Sequence, residues 1–382
     1  MVISNKPLRF LVAILVTFLP LFSTANPVAD STKVNTEVVH NEETTHEEAH
    51  AETKDVKSEI KEFINHHLLD AHDFTFNANK ETGEHNGFSL PVILWDNGIQ
   101  FFISSAFHHG PAEGVAEHNG NFYKLHHEKI YKTDAAGTLT EEHGHPTNVA
   151  PLDLSITKSV VGILFVAILM FFLFSGLAKS YAKNGGVASG AGRFFEPLVL
   201  YIRDEIAIPN IGEKAYKKYM SYLLTIFFFV FFLNILGLTP LGFNVTGNIA
   251  ITASLALLTY LITTFTANKN YWGHIFWMPG VPTPMKFILA PIELLGTIIK
   301  PFSLMIRLYA NILAGHVVLM SIIGLMFIFK SWIGSSLSFG LAFALSILEI
   351  LVAFLQAYIF TMLSALYFGA GNEEHHHEEA HH

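Results

Sequence analysis

Hydrophobic positions run unbroken over the second half of the chain and alternate in short bursts over the first. Ile156–Leu177, Tyr219–Leu238 and Ile249–Ala267 are each apolar for close to the ~20 residues a helix needs to cross a bilayer. Pro291–Phe329 and Leu337–Phe368 are longer. As single helices they would run about 57 Å and about 48 Å, against a hydrocarbon core of about 30 Å. Both must tilt, bend or overhang. Ahead of these spans, Phe88–Leu94 and Ile99–Phe107 flank Asp96-Asn97-Gly98 and predict two strands around a tight turn. Phe122–Lys132 predicts a third strand, and Ser58–Asp73 has a helical stripe of Ile60, Phe63, Ile64, His67 and Leu68. The fold class expected is an all-α polytopic membrane protein of about five spans, the last two long and steeply tilted, with a small N-terminal extracytoplasmic α+β segment.

The flanks of this pattern predict organisation. Lys6 and Arg9 precede the apolar run Phe10–Phe22, and Ser23-Thr24-Ala25 supplies small residues, so residues 1–25 read as a cleaved signal peptide. Residues 26–58 are poor in hydrophobes and rich in Glu, His and Thr, and predict disorder. Residues 59–155 form the extracytoplasmic module, 156–370 the membrane domain, and 371–382 a His/Glu-rich tail. Lys179, Lys183, Arg193, Arg203, Lys214, Lys217 and Lys218 crowd into one loop, which the positive-inside rule assigns to the cytoplasm. The mature N-terminus is then periplasmic, the C-terminus cytoplasmic, and the location a bacterial inner membrane. Trp272, Trp277 and Tyr271 read as interfacial anchors. Pro279, Pro282 and Pro284 argue against regular helix at that point.

Composition narrows the chemistry. The net charge of -9 is not a global property, because the acids lie mainly in residues 30–150 and the tail. No basic patch is interleaved with aromatics, so no nucleic-acid partner is expected. The chain has no cysteine, which excludes disulfides and thiolate sites. The glycines of 185–192 read as a flexible joint, since no strand precedes them and no Lys-Ser/Thr follows. No cofactor and no defined metal site are expected. The His/Glu tail could bind zinc or nickel, or could be a solvated, weakly buffering end.

The polar residues inside the apolar runs are then the informative ones. Arg307 remains charged at any ordinary pH, and at mid-membrane such a charge costs at least about 2.5–3.5 kcal/mol. On a helical wheel Glu293 and Asn311 lie about 40° from Arg307 and Lys300 about 20°, which makes one polar face. His316 lies about 180° away. It requires a bend near Gly315 or a pocket on the far side of the helix. Glu349 and Gln356 are seven apart on the last helix and share a face. With Arg307 opposite Gln356, His316 and Glu349 come to about 13 Å and about 10 Å on the external side, and Glu293 to about 21 Å on the cytoplasmic side. An acid and an imidazole can relay a proton, whereas the guanidinium cannot pass it on. Each residue also has a plainer reading. Arg307 can pair with an acid, Glu293 with Lys300, His316 can be a satisfied interior histidine, and Asn311 and Gln356 can join helices.

Pro301-Phe302-Ser303-Leu304-Met305-Ile306-Arg307-Leu308-Tyr309-Ala310-Asn311-Ile312-Leu313-Ala314-Gly315-His316 closely resembles the signature of subunit a of F-type ATP synthases. Leu348-Glu349-Ile350-Leu351-Val352-Ala353-Phe354-Leu355-Gln356-Ala357-Tyr358-Ile359-Phe360 resembles that family's last-helix motif, and Phe232-Leu233-Asn234-Ile235-Leu236-Gly237-Leu238-Thr239-Pro240 an earlier span. The resemblance covers roughly Ile156–Gly369. It implies a non-catalytic, proton-translocating stator subunit with two offset half-channels. Its partners would be the ring of c subunits, the b stalk and the rest of the synthase, with lipid and protons. It implies that Arg307 meets each ring carboxylate in turn, flanked by Asn311 and Gln356, with His316 and Glu349 on the external path and Glu293 on the cytoplasmic one. The order of imidazole and carboxylate is the reverse of that in many bacterial members. Residues 26–155 depart from the family pattern. A stand-alone transporter or channel gated by Arg307, and a membrane anchor for the module, are the competing classes. The first would often show repeated halves, and none is found.

Overall fold

The computed structural model describes residues 69–78, 85–112, 114–142, 145–183, 192–239, 243–278, 281–328 and 332–372, with Gly185 and Gly190. The signal segment, the stretch 26–58, the stripe Ile60–Leu68 and nearly all of the tail lie outside these residues. Two compact units divide the chain: one holds residues 160–312 and 350–382, the other residues 22–159 and 313–349.

The strand region lies in the second unit. It comprises β1 (Asp73–Ala78), β2 (His85–Ser89), β3 (Pro91–Trp95), β4 (Ile99–Ile103), β5 (Val115–His118), β6 (Asn121–His126), β7 (Lys129–Thr133), β8 (Glu141–Glu142), β9 (His145–Pro146) and β10 (Leu152–Asp153). They pair antiparallel in sheets β1-β2, β10-β3-β4, β5-β6-β7 and β8-β9. Tight hairpins need two residues with positive φ. Asn97 (φ 52°) and Gly98 (φ 138°) supply them between β3 and β4, as expected from the turn residues. The expected strand over 122–132 is two strands. His127 (φ 48°) and Glu128 (φ 58°) turn the chain at its middle, and neither is a residue that announces a left-handed turn. Ser104–Phe107, expected as strand, is a 3-10 turn. Val92, Leu94, Phe102, Phe107, Ala116, Tyr123 and Ile130 form the core, with Phe102 and Tyr123 stacked at 6.0 Å. The Tyr123 hydroxyl donates to Asp96 at 3.0 Å, and Lys132 pairs with the same carboxylate at 2.7 Å.

A buried ionic knot closes this module at the point where the chain leaves it. His72 is 2% exposed, and its Nε2 lies 2.7 Å from Asp153. Its Nδ1 is 3.8 Å from Glu128. Next to it, Asp70 accepts from the Ser159 N–H at 3.0 Å and the Thr157 hydroxyl at 2.9 Å, and the Lys158 N–H donates to Ala71 at 3.0 Å. Burial pulls the His72 imidazole down, but the Asp153 and Glu128 carboxylates outweigh it and raise its pKa to about 10.

The helices are α1 (Lys158–Lys183), α2 (Gly192–Tyr201), which runs through a π turn (Ile202–Ala207) into α3 (Ile208–Ile211), α4 (Tyr216–Gly237), α5 (Ile249–Thr266), α6 (Lys269–Phe276), α7 (Thr283–Ile328) and α8 (Trp332–Asn372). Among the described residues five of these are long and apolar enough to cross a membrane: α1, α4, α5, α7 and α8. Helices α7 and α8 have 46 and 41 residues and exceed the lengths the apolar runs suggested. Pro284 does not block α7 but opens it. A proline in the first turn lacks only an N–H that would have no partner there, and the Pro282 carbonyl accepts from Met285 and Lys286. Hydroxyls inside the spans bond within their own helices: Thr259, Thr263 and Thr266 each donate to the carbonyl four residues back.

The end of α8 is tied down within the first unit. Asn372 donates to the Tyr219 hydroxyl at 2.7 Å, Tyr219 stacks on Phe368 at 4.5 Å, and the Asn268 N–H donates to Gly371 at 2.8 Å. Gly369 lies against the Asn210 carbonyl so closely that any side chain there would collide with it.

His72→Ala leaves Asp153 without its cation. The strand region should lose about 2–3 kcal/mol, the low end for a buried pair because Asp153 keeps some solvent contact. The pH dependence follows from the raised value. The stability contributed by protonated His72 is full below the ordinary imidazole value of about 6.5 and falls as pH rises through about 10. Protease susceptibility of the strand region in the intact chain, from pH 6 to pH 10, measures both. A variant that loses stability equally across this range would refute the ionic account.

Candidate functional site

On α7, Lys300, Arg307 and Asn311 are exposed and Glu293 is half-exposed, so the four share the face that helical spacing assigned them. The small residues Ser303, Ala310 and Ala314 lie beside Arg307 on that face. Among the described residues no carboxylate is hydrogen-bonded to or ion-paired with Arg307. Its exposed neighbours on that face are Lys300, Ser303 and Asn311, and its charge acts on Tyr367.

The other polar residues are buried. His316 is 6% exposed and Glu349 9%. Helix α7 is continuous through Gly315, and His316 is buried there. A side chain at Gly315 would collide with both carboxylate oxygens of Glu349. The missing Cβ next to His316 is what lets the Glu349 carboxylate approach α7.

Gln356 is buried within the first unit. Three residues before it, the Ala353 carbonyl accepts from the Asn234 side chain at 3.4 Å, and the Asn234 Oδ1 has no hydrogen-bond partner. Asn234 was not singled out in the sequence, although it is the one amide in the apolar run Thr225–Gly237. An amide buried in a span with an unused acceptor is a polar group waiting for a donor.

A cleft of about 350 Å³, open to solvent, lies in the first unit. Its polar lining is Tyr260, Thr263, Tyr271, Thr297, Lys300 and Tyr367. Pro301 has no N–H, so the Thr297 carbonyl lacks its usual donor four residues on, and both residues line this cleft. Glu293 does not line it, but its charge acts on Tyr271, which does. Spacing alone could not find the cleft, because it takes residues from four helices. Among the described residues no cluster of His, Asp and Glu is arranged to hold a metal ion.

Five helices long and apolar enough to cross a membrane, carrying ionisable and amide groups, define a polytopic integral-membrane protein. Residues 160–369 match the family model described as ATP synthase A chain. The chain is 41% identical over 268 residues to ATP synthase subunit a 2 of Chlorobaculum tepidum, covering 68% of this chain and 75% of that one. It is also 41% identical to ATP synthase subunit a of Chloroherpeton thalassium (61% and 72% covered) and of Myxococcus xanthus (60% and 77% covered). The chain belongs to the ATP synthase A chain family, subunit a of the F-type enzymes. Residues 63–154 match a separate family described only as a domain of unknown function (DUF8433).

Gly315→Ala should force Glu349 away from α7, at about 1–3 kcal/mol of overpacking. Glu349→Asp, one methylene shorter, should partly relieve it. ATP-driven acidification of membrane vesicles checks both: activity should fall in the single variant and recover in part in the double. Full activity in Gly315→Ala would remove Glu349 from its assigned position.

Proposed function

We propose that this chain is the proton-translocating stator subunit of a rotary F-type ATP synthase, non-catalytic on its own, with Arg307 as the barrier between two offset half-channels. The observation that carries this reading is the exposure of Arg307, without a carboxylate partner among the described residues, inside the span that matches the family. Such a charge asks for a partner that brings its own acid, and the small residues beside Arg307 allow close approach. The ring of c subunits is that partner. At about 4 Å and an effective dielectric near 20, a guanidinium and a carboxylate attract by about 4 kcal/mol, or about 3 pKa units. That is enough to strip a proton from a passing carboxylate and weak enough to release it.

Glu349 and His316 serve the external half-channel, and the Gly315 gap supports their proximity. Glu293 serves the cytoplasmic half-channel, with the Lys300 cleft as its aqueous mouth. Asn311 and Gln356 flank Arg307, and Asn234 adds a third amide. The b stalk and the remaining synthase subunits complete the assembly. The basic loop from Lys179 to Lys218 supports a cytoplasmic side there, a periplasmic N-terminus, a cytoplasmic C-terminus and a bacterial inner membrane. Proposed boundaries remain 1–25, 26–58, 59–155, 156–370 and 371–382.

Membranes carrying Arg307→Ala should lose ATP-driven proton pumping to background while the complex still assembles. Normal coupled pumping in an assembled complex would sink the proposal. Geometry offers an independent check. Helices of 46 and 41 residues run to about 69 Å and about 62 Å, so α7 and α8 should lie well beyond the ordinary ~20° from the membrane normal. Orientation measured by polarised infrared or cryo-electron microscopy decides it.

A further inference from the structure

The sheet β10-β3-β4 has two unlike faces. Residues opposite each other in an antiparallel pair share a face, and the register sets Trp95 opposite Ile99 and Leu152, and Ile93 opposite Phe101. Val92, Leu94 and Phe102 point into the core. On the other side Ile99 (69% exposed), Phe101 (58%), Trp95 (56%), Ile103, Leu152 and Leu154 are uncovered. The only charged residue in these three strands is Asp153, which points the other way, to His72. Single exposed hydrophobes are ordinary, but six large ones on one contiguous, uncharged face mark an interaction surface.

We infer that this face lies in the interfacial zone of the lipid bilayer, at the leaflet where α1 begins. Chain continuity argues for lipid. Pairing with β3 runs on past β10: Leu154 N–H donates to Ile93 and Ile156 N–H to Pro91, two residues before Lys158 opens α1. Leu152, Leu154 and Ile156 therefore carry the apolar stripe of the sheet directly to the first span. The near end of the face is within about 7 Å of chain from that helix, and β3 extends it by about 13 Å. The headgroup zone itself is about 5–7 Å deep on each side. The residues that open α1 are also hydrogen-bonded to the module, Thr157 and Ser159 to Asp70 and Lys158 to Ala71. Trp95 at the far corner has the amphipathic ring favoured at such interfaces. The module would then rest monotopically on the membrane surface, a role that goes beyond ion translocation.

The chain has no cysteine, so one introduced thiol is unique. Phe101→Cys, Ile99→Cys and, as a control on the exposed side of β5, Glu117→Cys are each labelled with bimane in the full-length chain. The labelled chains are reconstituted in phosphatidylethanolamine/phosphatidylglycerol vesicles containing a lipid with a nitroxide on a shallow acyl carbon. Labels at Phe101→Cys and Ile99→Cys should lose most of their fluorescence to the nitroxide lipid, while the Glu117→Cys label stays bright. Equal brightness at all three positions would overturn the inference. So would benzophenone attached at Phe101→Cys cross-linking to a protein subunit or a second copy rather than to lipid.

Discussion

A guanidinium that cannot surrender its proton is exposed on α7 with no carboxylate partner among the described residues. The other polar features of the membrane part can be understood from that constraint. Inside a bilayer an unmet polar group has no water to fall back on, and the other polar side chains in these spans are placed accordingly. The threonines bond to their own helices. Tyr222 and Thr259 share a hydrogen bond at 2.7 Å. Glu349 and His316 are covered. Arg307 is exposed and has no carboxylate partner among the described residues. Its cost in isolation is also its selectivity, since an apolar partner without a carboxylate would leave the charge stranded.

Glycine and proline shape the surroundings of that charge. Gly315 removes the one atom that would hold Glu349 off α7. Pro301 removes the one hydrogen that would engage the Thr297 carbonyl. In both places a missing atom brings a polar group to a spot where a regular apolar helix would have none. One lies beside the buried His316, the other at the open cleft near Lys300.

Much of this was legible in the sequence because helical periodicity is local. The face shared by Glu293, Lys300, Arg307 and Asn311 follows from their spacing alone. The Asn97-Gly98 turn was equally readable, since its residues tolerate positive φ. The His127-Glu128 turn was not, because neither residue favours the left-handed region and the strand pattern runs straight through it. Pro284 misled because a helix breaker inside a helix is a good starter at its first turn. Asn234 and the cleft were hidden for a different reason. Their meaning depends on which backbone lies opposite, and spacing within one helix carries no information about that.

The fastening of α8 has a mechanical consequence. A sideways load on a long helix is borne where that helix is fastened. The outer residues of α8, among them Leu351 and Leu355, are exposed and offer little hold. Its last turns are moored instead: Asn372, Gly371 and Phe368 to Tyr219 and Asn268, with Gly369 seated on Asn210. Those few contacts act as a thrust bearing. Loosening them would free the end of α8 without altering Arg307, His316 or Glu349.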